Sequence, residues 1–164
     1  MQNIVPFLWF ANEAEEAVNF YVSIFKNSKI ERMSRYAEGG PGPVGAVMTV
    51  DFQLEGQNFM AVNGGAVSGD GADDTPPRGG IALFVNCETQ DEVDRLWDAL
   101  AVAGKQLPCG WVKDKYGFTW NIVPAGLGDV LGDDDTEKAQ RAMKAMLNMK
   151  KLDINALRLA ANSR

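Results

Sequence analysis

The sequence predicts an α+β fold: two βαβββ modules forming a curled mixed sheet (a half-open barrel), followed by a C-terminal helical tail. Three observations predict it. Residues 7–25 (FLWFANEAEEAVNFYVSIF) and 82–100 (ALFVNCETQDEVDRLWDAL) share one plan, a short apolar run, a cap, then an amphipathic helix. Val18, Tyr21, Val22 and Phe25 answer Val93, Leu96, Trp97 and Leu100, each pair 75 positions apart (18 and 93, 25 and 100). A repeat of this kind is one supersecondary unit copied, each copy needing cover for its apolar face. After each helix come alternating apolar and polar stretches broken by turn residues. After Pro124 the strand character stops and helical spacing takes over.

In order along the chain, module 1 spans residues 4–63. Ile4 to Phe10 is a continuous apolar run, suited to a buried strand. Asn12, with Glu15 three residues on, reads as a capping box opening a helix that runs to about Phe25. Lys29 to Tyr36 reads as a strand, and Glu38 to Gly45 as a Gly/Pro loop. Val44 to Leu54 and Gln57 to Asn63 flank Glu55-Gly56, a hairpin signal. Residues 64–80 (GGAVSGDGADDTPPRGG) have nothing to pack a core with and read as a linker.

Module 2, residues 81–124, repeats the plan. Ile81 to Val85 is a strand, Thr89 and Glu92 form a second capping box, and the helix ends near Leu100. Gln106-Leu107, Trp111 to Lys113 and Thr119 to Val123 are the remaining strands, the last two joined around Lys115-Tyr116-Gly117. The tail, residues 133–162, opens with Asp133, Asp134 and Asp135, whose charge suits a helix N-terminus. Its first helix, 136–149, carries Ala139, Ala142, Met143, Met146 and Leu147 on one face. Asp153 caps a second helix through Ala161.

Composition excludes several classes. The 164 residues are 46% hydrophobic and 23% charged, ordinary for a globular domain. A net charge of −6 argues against a nucleic-acid partner, which needs a basic face. No apolar run approaches the roughly 18 residues that cross a membrane, and the acidic residues at 13, 15 and 16 come too early for a signal peptide. Two cysteines, Cys87 and Cys109, lack C-x-x-C spacing. A reduced, cytoplasmic protein is expected.

The candidate chemical groups each have an ordinary alternative. Residues 40–45 (GPGPVG) match G-x-G-x-x-G by letter, but a β-rich run follows instead of a helix, and two prolines remove amide donors. No glycine-rich turn is present to cradle S-adenosylmethionine. Cys109 has Lys113 and Lys115 nearby and no histidine to act as base, so a structural thiol is expected. Asp114 with Lys113 and Lys115 is either an acid-base group or a solvated turn. Arg78 is either an anion contact or a free surface charge. Trp9, Phe59, Met60, Phe84, Trp111 and Trp120, with the amides Asn63 and Asn121, either wall a cleft for a small planar ligand or fill an ordinary core. The methionines at 143, 146 and 149 are either packing or an adaptable interface.

The phrases PFLWF…AEEAVNFY, MAVNGG, GGIALFVNC, CGWVKDKYGFTWNIVP and MLNMKKLDI carry a resemblance over nearly the whole chain. The sequence resembles the glyoxalase/bleomycin resistance/dioxygenase (vicinal oxygen chelate) superfamily. More narrowly, it resembles the PhnB-like branch, labelled 3-demethylubiquinone-9 3-methyltransferase-like. Metal-dependent members of that superfamily hold a divalent ion at four strand positions. The resemblance maps these onto Pro6, Met60, Gly80 and Asn121. Proline and glycine offer no side-chain donor, an amide is a weak ligand, a thioether prefers soft metals, and the chain has no histidine. The resemblance therefore implies a superfamily member without the metal site and without a cofactor.

The leading expectation is a metal-independent small-molecule-binding protein, working as a homodimer because each half-barrel leaves an open sheet edge. The alternatives are an enzyme using Cys109 or the Asp114/Lys113 pair, and a structural or regulatory dimer whose cleft is plugged by Trp120 and Met60.

Overall fold

The computed structural model describes residues 5–36, 42–64 and 81–163. The chain divides into two compact units, Met1–Asp70 and Gly71–Arg164. Each is built on one four-stranded mixed sheet, and neither sheet closes into a barrel. The α+β class, the paired βαβββ plan and the helical tail are thus present. Residues 65–80 of the expected linker, Arg78 and Gly80 among them, lie outside the described residues.

Unit 1 contains β1 (Phe7–Phe10), α1 (Ala14–Ile24), β2 (Lys29–Arg35), β3 (Val47–Leu54) and β4 (Gln57–Asn63), with sheet order β1-β4-β3-β2. β1 runs parallel to β4, and the other pairs are antiparallel. The two-residue loop between β3 and β4 is the expected hairpin. Glu55 (φ 50°) and Gly56 (φ 77°) both adopt left-handed backbone, the requirement of a type I′ turn. α1 covers one face with Ala14, Ala17, Val18 and Tyr21, against Leu8, Phe10, Val50, Phe52, Leu54, Phe59 and Ala61, all buried.

The expected capping box at Asn12 does not form. Glu13 occupies the N-cap without a side-chain cap bond to the helix, its carboxylate accepting instead from the Asn12 N–H at 3.0 Å. Asn63, at the end of β4, supplies the cap instead, its Oδ1 accepting from the Ala14 N–H at 2.9 Å. The reason is tertiary: parallel pairing sets Asn63 beside Phe10, where the chain turns into α1. Asn63 Nδ2 donates to the Val47 carbonyl at 3.0 Å, and its own carbonyl accepts from the Tyr36 hydroxyl.

Unit 2 repeats the plan with β5 (Leu83–Cys87), α2 (Gln90–Ala101), β6 (Lys105–Gln106), β7 (Trp111–Lys113) and β8 (Thr119–Pro124), in the matching order β5-β8-β7-β6. Here the local cap holds: Thr89 accepts from the Glu92 N–H, and Glu92 Oε2 accepts from the N–H of Glu88. α2 buries Val93, Leu96, Trp97 and Leu100, the residues that the internal repeat singles out.

The tail forms α3 (Leu127–Leu131), which the sequence reading did not anticipate, then α4 (Thr136–Leu147) and α5 (Ile154–Asn162). Asp135 and Asp153 cap the two longer helices, each accepting two backbone N–H bonds. The tail packs on its own unit. Cys109 and Gly110 donate their N–H groups to the carbonyls of Met149 (2.8 Å) and Lys150 (2.7 Å). The Gln90 amide donates to the Leu152 carbonyl at 2.9 Å and accepts from the Ile154 N–H at 3.0 Å. Lys151 bridges Asp98 at 2.9 Å and Asp94 at 3.4 Å on α2. Leu152, Leu157 and Ala161 are buried, while Met143 and Leu147 stay exposed, so only part of the expected α4 stripe is covered.

Because Asn63 and not Asn12 caps α1, Asn63→Ala is expected to cost about 1–3 kcal/mol. Asn12→Ala is expected to stay within about 0.5 kcal/mol of the parent. Urea unfolding midpoints of the two variants check the assignment.

Candidate functional site

Side chains alternate across a strand, so the face that the helix covers leaves a second face to be read position by position. Phe7, Met60, Asp51 and Arg32 are register partners across β1, β4, β3 and β2 and form one row on the helix-free face of unit 1. Trp9, Val62, Thr49 and Ser34 form the next row. In unit 2, Phe84, Asn121 and Trp111 form the equivalent row. Met60 and Asn121 thus hold the same place in the two modules, each beside a phenylalanine of the edge strand.

The eight residues expected to wall a cleft fall into two groups. Trp9, Met60, Phe84, Trp111 and Asn121 stand on helix-free faces, with Trp9 48% and Phe84 61% exposed. Phe59, Asn63 and Trp120 are committed to the helix-covered layer. Phe59 stacks on Phe52 with ring centroids 5.4 Å apart. Asn63 caps α1. Trp120 is buried, and its Nε1 donates to Asp114 Oδ2 at 2.8 Å. Neighbouring residues in a strand point to opposite faces, so Phe59 with Met60 and Trp120 with Asn121 cannot share a wall.

Asp114 organises its turn. Its Oδ1 accepts from the N–H groups of Tyr116 (2.9 Å) and Phe118 (3.0 Å), and its Oδ2 takes the indole. A buried carboxylate held this way is a structural acceptor. Lys115 lies over the Tyr116 ring, 4.9 Å from its centroid. Cys109 Sγ donates to the Met146 carbonyl at 3.7 Å. Asn121 is buried and its Nδ2 donates to the Cys109 carbonyl at 3.2 Å. Residues 40 and 41 of the glycine-rich match lie outside the described residues, and the strand β3 follows it where a phosphate cradle would open a helix.

The donor set does not fit a divalent metal. The Pro6 carbonyl accepts from the Met60 N–H at 3.0 Å, and its ring offers nothing further. Met60 brings a thioether and Asn121 an amide already donating. Among the described residues, no group of three His, Cys, Asp or Glu side chains is placed to hold a metal ion.

Asp51 escaped the sequence reading. It sits mid-strand between Val50 and Phe52, and the alternation made it look like an ordinary solvent-facing position. The one local signal is a charged residue set between two large apolar ones, Val50 and Phe52, both buried.

Paired βαβββ modules of this plan are the fold expected for the glyoxalase/bleomycin resistance/dioxygenase superfamily. Residues 2–123 match the profile of the family described as 3-demethylubiquinone-9 3-methyltransferase, and the chain belongs to that family, the PhnB-like branch. The PhnB protein from Bacillus cereus is 39% identical over 76% of this chain and 100% of its own, with a TM-score of 0.64. A Staphylococcus aureus protein is 32% identical over 73% of this chain and 93% of its own, with a TM-score of 0.34. Protein PA1353 from Pseudomonas aeruginosa, 22% identical over 76% of this chain and 98% of its own with a TM-score of 0.56, shares the fold. The comparison with curated proteins gave no match.

Cys87 faces the helix layer with no exposed surface. Burial, then the charge of Glu92, push its thiol up to about 11, against the weaker pull of Arg95. The folded state therefore favours the neutral thiol, and this contribution is complete below the unfolded value of 9.0 and lost as pH rises from there toward about 11. Native protein at pH 8 is expected to leave Cys87 unmodified by a thiol reagent until it unfolds. Over that alkaline window, stability is expected to fall by up to about 1.4 kcal/mol per pH unit. Mass mapping of modified cysteines and unfolding curves against pH check both.

Proposed function

We propose that this protein binds a small, largely planar organic molecule against the helix-free faces of its sheets, without a divalent metal. The observation that carries this is the pairing of exposed aromatic side chains with metal positions that lack metal donors. Phe7, Trp9 and Phe84 are half or more exposed or close to it. They stand in or beside the rows of Met60 and Asn121. Large exposed aromatics on a sheet face mark a surface that something covers. Trp9, Met60, Phe84, Trp111 and Asn121 are the wall residues in this proposal.

The family's description names methyl transfer. Each sheet here has a single parallel pairing and is otherwise antiparallel. The helices that follow the first strands, α1 and α2, open without a glycine-rich turn and have N-termini capped by Asn63 and Thr89, which is not the cradle of a nucleotide-like cofactor, and sequestering a ligand fits the faces better than turning it over. Two copies are proposed to pair, supported by the apolar side chains on the edge strands β1 and β5. The free thiols of Cys87 and Cys109 support a reducing, cytoplasmic location. No helix of the described residues is long and apolar enough to cross a membrane.

Native mass spectrometry with elemental analysis of the same purified sample tests the proposal. The expected result is a dimer mass, a co-purified organic molecule and no stoichiometric transition metal. A stoichiometric transition metal overturns it.

A further inference from the structure

The helix-free face of unit 1 grades from apolar to charged along one row: Phe7, Met60, Asp51, Arg32. Its polar side chains are partnered with one exception. The Ser34 and Thr49 hydroxyls bond each other, and the Gln53 amide donates to Asn58 at 2.9 Å. Arg32 meets Asp51 through Nε at 2.9 Å and Nη2 at 2.7 Å, and both contacts fall on the same oxygen, Oδ2. A forked arginine–carboxylate pair uses both oxygens. Here Oδ1 is left over, buried, with no hydrogen-bond partner among the described residues.

A buried acceptor without a partner costs free energy until a donor reaches it. We infer that Asp51 Oδ1 is the acceptor that orients the ligand, a planar apolar molecule carrying a hydrogen-bond donor, such as a hydroxyl, at one end. This deepens the small-molecule reading above and rests on it. Phe7 stands two strands from Asp51, roughly 10 Å at the usual spacing. A two-ring aromatic with one substituent spans that distance, its rings on Phe7 and Met60 and its donor on Oδ1. Arg32 holds the carboxylate in place. Arg32 is itself 76% exposed, so its contact contributes orientation more than stability.

The test uses 2-naphthol and 2-methoxynaphthalene, the same rings with the donor present or capped, titrated calorimetrically into the full chain and into Asp51→Asn. The parent is expected to bind the naphthol about tenfold or more tightly than its methyl ether. In Asp51→Asn the amide oxygen turns to Arg32 and sets an NH2 group where Oδ1 was, so the preference is expected to vanish or reverse. Equal affinities in the parent, a preference for the ether, or a preference that survives in Asp51→Asn overturns the inference and leaves small-molecule binding standing. Absence of binding by either compound at millimolar concentration overturns both. Should circular dichroism show Asp51→Asn unfolded, the ligand pair on the parent protein still decides.

Discussion

Each module depends on one amphipathic helix pressed against one face of a four-stranded sheet. α2 alone withdraws Val93, Leu96, Trp97 and Leu100 from water, and a fully buried side chain of that size contributes about 1.5–3 kcal/mol. With one face sealed, the two-residue period of a strand assigns every other side chain. It sends Phe59, Ala61 and Asn63 inward and leaves Met60 and Val62 on the other side. It does the same to Trp120 and Asn121. The helix-free faces are what remains once the helices are seated.

Burying those layers obliges the polar groups inside them to find partners. Asp114 satisfies two N–H groups of its own turn and the Trp120 indole at once. The tail performs the same service at the other end of β7. Cys109 and Gly110 lie in left-handed backbone, with φ of 59° and 81°, and their N–H groups meet the Met149 and Lys150 carbonyls. Gly110 admits no side chain, since a Cβ there would lie 2.9 Å from the Ile122 carbonyl oxygen. The Cys109 carbonyl in turn takes the Asn121 amide. Although the family match ends at residue 123, the tail is thus joined through one residue to a position on the helix-free face.

The two modules are alike in backbone and unlike in chemistry. Asp51 in unit 1 and Trp111 in unit 2 occupy the same place beside Met60 and Asn121. One row therefore ends in a carboxylate held by arginine, the other in an indole. Copying a module supplies the scaffold twice, and substitution at matching positions then lets each face offer a different contact.

The sequence by itself determined the two βαβββ modules, the order of strands and helices within them, and the Thr89 and Asp153 caps. Periodicity, turn residues and side-chain chemistry are local properties, legible without coordinates. Tertiary structure alone decided that Asn63 and not Asn12 caps α1, since that choice follows from a strand pairing 49 residues away in sequence. It also decided which of the aromatic candidates were inner layer, because composition names a tryptophan but only register says which face it takes. The short helix at residues 127–131 had too few residues to show a period, and it forms where α4 and α5 pack beside it. The unpaired oxygen of Asp51 was decided at the same level: it is a fact about its neighbours across the sheet, and no single strand contains them.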